Sequence, residues 1–376
     1  MRRFTAKLDV DAHSLVHRVV ILPDLACDWA PDLRYLVQVS SEDEERQIEA
    51  LRRSGLNNIW QVSSTELIPG DIVTLDVKKS QVFVLYRESD SHHSLLLTNR
   101  CNSYCIMCSQ PPTKHDDSWL VEEVVDVIRH LRLSPPVLGL SGGEPLLLGA
   151  DLRRILDVLH ISHPSTRVEV LTNGRLFSDA NVVDAILKGL QPGVQWLVPL
   201  YGHADFFHDF VVQSSGAFEQ TLSGLLALQE YEQATQLRIV LVETVLQSLE
   251  ELCSFIGRNL PFVKEVALMA CEPTGFALAN REQCELDLLD WTDALLRSSS
   301  ILRRYSVPHL FMNAPLCALP TKLRSFAHKS ISDWKNVYVQ ECESCSAKDK
   351  CSGLFSWHEK TWTPTRIRAI EELMNE

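Results

Sequence analysis

The spacing of apolar residues changes character near residue 94. From there to about residue 297, short apolar runs alternate with stretches in which apolar residues recur every three or four positions. This rhythm predicts strands at 94–98, 137–141, 167–172, 195–201, 237–244 and 263–270. Helices are predicted at 119–131, 152–159, 179–190, 218–230, 248–259 and 281–297. In the first helix, Leu120, Val121, Val124, Val125, Ile128 and Leu131 fall on one face. Six strand–helix units in succession imply right-handed crossovers and a parallel sheet. Six are too few to close an eight-stranded barrel, so the expected fold is α/β, an open partial (β/α)6 TIM-like barrel. Chemistry in such folds gathers in the loops after the C-terminal ends of the strands.

Residues 1–90 have a different texture. A short apolar strand at 16–22 precedes a helix that begins with the capping pair Ser41 and Glu44, runs to about Arg53 and turns at Gly55. Residues 71–77 and 81–86 alternate as a hairpin around Lys78-Lys79. The expectation is a small α+β or mostly β module, with leader-peptide docking at an exposed strand edge as its candidate role. Residues 91–300 form the barrel and residues 301–376 a cysteine-rich extension.

The distinctive sequences fall where the barrel reading places chemistry. Cys101, Cys105 and Cys108, spaced Cys-x3-Cys-x2-Cys, follow the first strand, and Gly142-Gly143-Glu144-Pro145 follows the second. Asn173-Gly174 follows the third, Tyr201-Gly202-His203 the fourth and Cys271-Glu272-Pro273-Thr274-Gly275 the sixth. Three thiolates on one loop suit three irons of a cubane and leave the fourth iron open, whereas zinc sites usually close with four ligands. Two glycines let backbone approach a bound molecule closely, and Glu144 offers a carboxylate toward an ammonium group. His203, Asp205, His208 and Asp209 read either as a metal cluster or as a loop capping the next helix.

The chain has 36 basic and 49 acidic residues, a net charge of -13, and no Lys/Arg cluster, which argues against nucleic-acid binding. No apolar run approaches the roughly 18–20 residues of a membrane helix. In the opening Met1-Arg2-Arg3-Phe4, the charged Lys7, Asp9 and Asp11 stand where an export signal needs apolar residues. A cytoplasmic protein is expected, with its eleven cysteines serving thiol or metal chemistry. Cys27, Cys253 and Cys284 read as small buried fillers. Cys271 reads as structural or as a thiol beside the active site.

The Cys-x3-Cys-x2-Cys and Gly-Gly-Glu-Pro loops, in register on successive strands, resemble the radical S-adenosylmethionine (SAM) superfamily over about residues 94–269. The resemblance implies a 4Fe-4S cluster on Cys101, Cys105 and Cys108. It also implies SAM bound by Gly142, Gly143, Glu144 and Pro145, with Asn173 and Tyr201 at its carboxylate or ribose. Met107 replaces the aromatic residue that many members carry beside the adenine. Cys317, Cys342, Cys345 and Cys351 resemble the auxiliary-cluster extension of radical SAM peptide maturases, which implies a second 4Fe-4S cluster. Zinc on the same four thiolates, or with His358 in place of Cys317, fits the spacing too. The runs Leu-Leu-Leu-Thr-Asn-Arg-Cys-Asn, Cys-Ser-Gln-Pro-Pro, Glu-Pro-Thr-Gly-Phe-Ala and Cys-Ser-Gly-Leu-Phe resemble the His-Xaa-Ser system radical SAM maturase. That likeness implies a His-Xaa-Ser repeat substrate protein, a partner radical SAM protein and an electron donor such as flavodoxin or ferredoxin. The competing readings are a radical enzyme acting on RNA or a small molecule, and a non-catalytic iron–sulfur protein that binds a peptide.

Overall fold

The computed structural model describes residues 2–8, 15–358 and 366–371. Met1, Asp9 and Asp11 of the opening segment lie outside them. The chain divides into two compact units, neither contiguous in sequence. The first comprises Met1–Leu97, Ser118–Gly139 and Arg154–Arg167; the second comprises Thr98–Asp117, Leu140–Arg153 and Val168–Glu376.

The N-terminal residues build a seven-stranded sheet: β1 (Arg2–Thr5), β2 (Lys7–Leu8), β3 (His17–Ile21), β4 (Tyr35–Gln38), β5 (Ile59–Ser63), β6 (Ile72–Asp76) and β7 (Gln81–Tyr86). The order is β1-β7-β6-β3-β4-β5-β2. The predicted hairpin is β6–β7, antiparallel, but β3, β4 and β5 pair in parallel, so the module is a mixed α/β sheet. Tyr35, Leu36 and Val37 are all buried, which erases the alternation that would have marked β4 in sequence. Helix Glu42–Arg53 starts as expected, with the Ser41 hydroxyl accepting from the Glu44 N–H at 3.3 Å. The Glu44 carboxylate returns one residue early, to the Ser40 N–H at 2.7 Å.

The second sheet also has seven strands, one more than expected: β8 (Ser94–Leu96), β9 (Val137–Ser141), β10 (Arg167–Leu171), β11 (Val194–Pro199), β12 (Ala234–Leu241), β13 (Glu265–Ala270) and β14 (His309–Met312). Their order is sequential, and β10 through β14 pair in parallel, as expected for a partial barrel. The additional strand β14 lies beside β13, with Val266 opposite His309. The helix expected at 281–297 is broken into Arg281–Cys284, a 3-10 turn at Leu288–Trp291 and Thr292–Arg304. Asp287 caps the turn through the Leu289 N–H at 3.0 Å. Residues 205–212, expected as loop, form helix Asp205–Val212. Among the described residues no helix is long and apolar enough to cross a membrane.

Candidate active site

The first cysteine loop is held at both ends and in the middle. Asp117, 5% exposed, accepts from the Thr98 hydroxyl at 3.1 Å and from the Asn99 N–H, and it pairs with Arg100 at 3.4 Å. Farther on, Tyr104 N–H and Ile106 N–H each donate at 3.0 Å to the carbonyls of Val212 and Val211 on helix Asp205–Val212. The segment after β13 closes the far side. Phe276 N–H donates to the Cys108 carbonyl and the Asn280 amide to the Ile106 carbonyl, both at 2.9 Å. Gly275, at φ +61°, presses so close that an added Cβ would lie 2.3 Å from the Cys108 oxygen.

Burial pushes the Cys101 thiol up to about 11, assisted by the Glu144 charge, and the Cys105 thiol up to about 12, assisted by Cys108 and Cys101. Burial also raises Cys108. These thiols bear on one another electrostatically, so their thiolates need a cation between them. Three thiols on one loop are the donor chemistry that a cubane takes, while among the described residues no group of three or more His, Cys, Asp or Glu side chains is gathered as for a metal ion.

The glycine loop explains itself by packing. Gly143 N–H donates to the Thr98 carbonyl at 2.7 Å and Glu144 N–H to the Arg100 carbonyl at 2.8 Å. A Cβ on Gly142 would lie 2.4 Å from the Thr98 oxygen, and one on Gly143 2.1 Å from the Arg100 oxygen. The glycines therefore admit the backbone that leads into Cys101, a close approach of protein to protein.

The Glu144 side chain, expected to face an ammonium group, is completely buried. It accepts from Leu146 N–H at 2.9 Å, the Thr172 hydroxyl at 2.5 Å and Asn173 N–H at 2.7 Å. Three of its roughly four lone-pair positions are thus filled from within the protein. Burial raises its pKa against those three donors. Pro145 is buried at the start of the following 3-10 turn, Pro145–Leu148.

Asn173 links three loops, with its amide donating to the Asn102 side-chain oxygen at 2.6 Å and its own oxygen accepting from Arg175 N–H at 3.1 Å. Arg175, unremarked in the sequence, donates to the Asn102 carbonyl at 2.7 Å, the Ser103 hydroxyl at 2.9 Å and Gln220 at 2.8 Å. Tyr201 is buried, and its phenol is raised well above its ordinary value by burial and by the charges of Cys105, Cys108 and Cys271. Its ring stacks on His208, with centroids 5.9 Å apart. Met107 is buried in the loop itself, 6% exposed. His203, Asp205, His208 and Asp209 do not form a metal cluster. Asp209 caps the next helix through Gly216 N–H at 2.6 Å and Phe218 N–H at 2.8 Å. Buried His208 accepts from Tyr201 N–H at 3.1 Å.

Toward the C-terminus, Cys317, Cys342, Cys345 and Cys351 line a single cavity of about 350 Å³. Backbone N–H groups of Leu316 and Gly353 point at the Cys351 sulfur, and that of Ile370 at the Cys345 sulfur, all at 3.3 Å. His358 lines a neighbouring cavity instead. Of the cysteines expected as fillers, Cys253 and Cys284 are buried, but Cys27 is exposed.

The site is thus a three-thiol loop at a strand exit of a parallel α/β sheet, locked to a glycine loop at the next exit. Residues 95–256, a little under half of the chain, match the family model for the Radical SAM superfamily. A probable GTP 3',8-cyclase from Methanocella arvoryzae is 34% identical over 132 residues, 34% of this chain and 40% of that protein. Streptococcus suis SuiB bound to S-adenosylmethionine has a TM-score of 0.48 at 11% identity, covering 73% of this chain and 57% of SuiB. A radical SAM methyltransferase from Sphaerobacter thermophilus has a TM-score of 0.43 at 17% identity, covering 64% and 73%. The chain thus spans well under two thirds of the cyclase and of SuiB.

Proposed function

We propose that this chain is a radical SAM enzyme that modifies a ribosomally made peptide or protein, with a His-Xaa-Ser repeat protein as the foremost substrate. The observation that carries the peptide reading is the second set of four cysteines around one cavity, aimed at by backbone N–H donors as cluster sulfurs commonly are. In this reading residues 1–90 dock the peptide, residues 91–300 generate the radical and residues 301–376 hold the second cluster. A partner radical SAM protein and an electron donor such as flavodoxin or ferredoxin act with it.

Cys101, Cys105 and Cys108 would hold the first cluster, which would supply one-electron reduction of SAM. The protein's own part is positional. Gly142, Gly143 and Glu144 fix the cysteine loop by their close contacts with Thr98 and Arg100. Tyr201 and Met107 exclude water, and Arg175 and Asn173 hold Asn102 in place.

Reconstituted protein should bind about eight irons, two cubanes; about four irons plus one zinc would remove the second cluster. Mass spectrometry of the His-Xaa-Ser protein after co-expression tests the substrate. A small-molecule substrate is the second reading, favoured by the 132-residue similarity to the probable cyclase. Turnover of a nucleotide with no mass change on the peptide would select it.

A further inference from the structure

β1 and β2 stand at opposite ends of the N-terminal sheet order, yet only Ala6 separates them in sequence. Arg2–Leu8 is therefore one bent segment that closes this sheet into a ring. Its first half pairs antiparallel with β7, from Arg2 opposite Val84 to Thr5 opposite Gln81. Ala6 N–H continues that ladder to the Ser80 carbonyl at 3.1 Å. The second half pairs antiparallel with β5, Lys7 opposite Ser63 and Leu8 opposite Val62. β7 and β5 thus face one gap, and residues 2–8 fill it.

Side chains along the first half alternate as a strand's do. Ala6, 5% exposed, belongs to the core cluster that includes Val19, Leu36, Val62 and Val82, and Phe4 packs against the same cluster. Arg3 and Thr5 are exposed. The Arg87 guanidinium, held by Asp71 at 2.7 and 2.6 Å, lies 5.9 Å from the centroid of the Phe4 ring. Arg2 donates to Asp90 at 2.8 Å.

We propose, on the reading that residues 1–90 dock the peptide, that the gap between β7 and β5 is the docking slot for an extended peptide segment, and that residues 2–8 are a stand-in which the peptide displaces. Strand addition needs free main-chain N–H and C=O groups. Those that β7 and β5 turn toward the gap are the groups that residues 2–8 take. A strand in this slot is bonded on both sides, so it gains more main-chain bonds than at an ordinary edge. The resident segment is the template for what fits: an aromatic residue at the Phe4 position beneath Arg87, and a small residue two positions later, where Ala6 enters the core. Only molecules with an open slot bind, so the stand-in lowers the apparent affinity in proportion to the open fraction.

The test is deuterium exchange of the full chain, read by mass spectrometry, with and without the His-Xaa-Ser repeat protein. Binding should expose the amides of Arg2–Thr5 while those of Gln81–Val84 stay protected, because the incoming strand takes over their partners. Phe4→Ala removes the anchor beneath Arg87 and should raise the apparent affinity for that protein by about tenfold. Arg2→Ala leaves the core intact and should move the affinity in the same direction, which keeps the test open where Phe4→Ala fails to fold. Binding with Arg2–Thr5 still protected, or with the affinity unchanged in the folded variants, overturns the proposal and leaves peptide docking by residues 1–90 in place. Exposure of Arg2–Thr5 that grows with chain concentration and needs no peptide assigns the slot to a second copy, and overturns it too. No binding by the wild type or either variant removes the docking reading itself, and the proposal with it.

Discussion

Replacing Gly143 by alanine places a methyl group 2.1 Å from the Arg100 carbonyl oxygen and 2.6 Å from its carbon, both backbone atoms. No side-chain rotation relieves the overlap, so one of the two strand exits has to move by about 1 Å to reach ordinary contact. That movement breaks the 2.8 Å bond from Glu144 N–H to the same oxygen, costing about 1 kcal/mol. Forced displacement of packed backbone adds about 1–3 kcal/mol. The total of about 2–4 kcal/mol corresponds to a shift of the folding equilibrium by roughly one and a half to three orders of magnitude. The useful comparison is Gly216→Ala, where an added Cβ meets nothing within 4 Å but φ is +74°, so only the left-handed conformation costs about 1–2 kcal/mol. Urea unfolding of the apo chain and iron content after reconstitution measure the two effects. Gly143→Ala should unfold earlier than Gly216→Ala and lose iron from the first loop, because Arg100 leads directly into Cys101. Wild-type stability together with wild-type iron in Gly143→Ala would refute the packing account of the glycine loop.

Other outcomes follow from the same geometry. Arg175→Lys gives up the reach to Asn102, Ser103 and Gln220 at once and should lower stability by about 1–2 kcal/mol, read by urea midpoint, with slower iron loading of the first loop. Burial holds His208 down at about 4, so the folded state binds fewer protons than the unfolded state between pH 4 and about 6.5. Stability should therefore fall as pH drops through that window, by up to about 3 kcal/mol for this group. His208→Asn keeps an acceptor for Tyr201 N–H and should flatten that part of the pH profile; an unchanged profile assigns the dependence elsewhere. Cys351→Ala removes a sulfur that accepts from two N–H groups and should halve the iron bound while SAM cleavage by the first site persists.

Much of the barrel was legible because its strands are short apolar runs and its helices keep one apolar face. Strand β14 was not, since His309–Met312 is four residues long and mixes His309 into the run. The three cysteines stand out in sequence by their spacing, and the structure sets them on one loop after β8. The reason for the glycines was legible only in part: sequence shows that something comes close, but the partners are Thr98 and Arg100, more than forty residues earlier. The contacts of Glu144 were hidden for a similar reason, because Thr172 and Asn173 come from the next strand exit. Arg175 carried a faint signal, a charged residue right after Asn173-Gly174 at a strand end. Asp117 had none, as its role depends on the chain folding back onto Thr98.

The most direct test of the central claim is 5′-deoxyadenosine formation by the anaerobically reconstituted, reduced chain given SAM, with Cys105→Ala assayed beside it. The account predicts product from the wild type and none from Cys105→Ala. Equal product from both, or none from a wild type that holds its full iron, contradicts the assignment of the first cysteine loop.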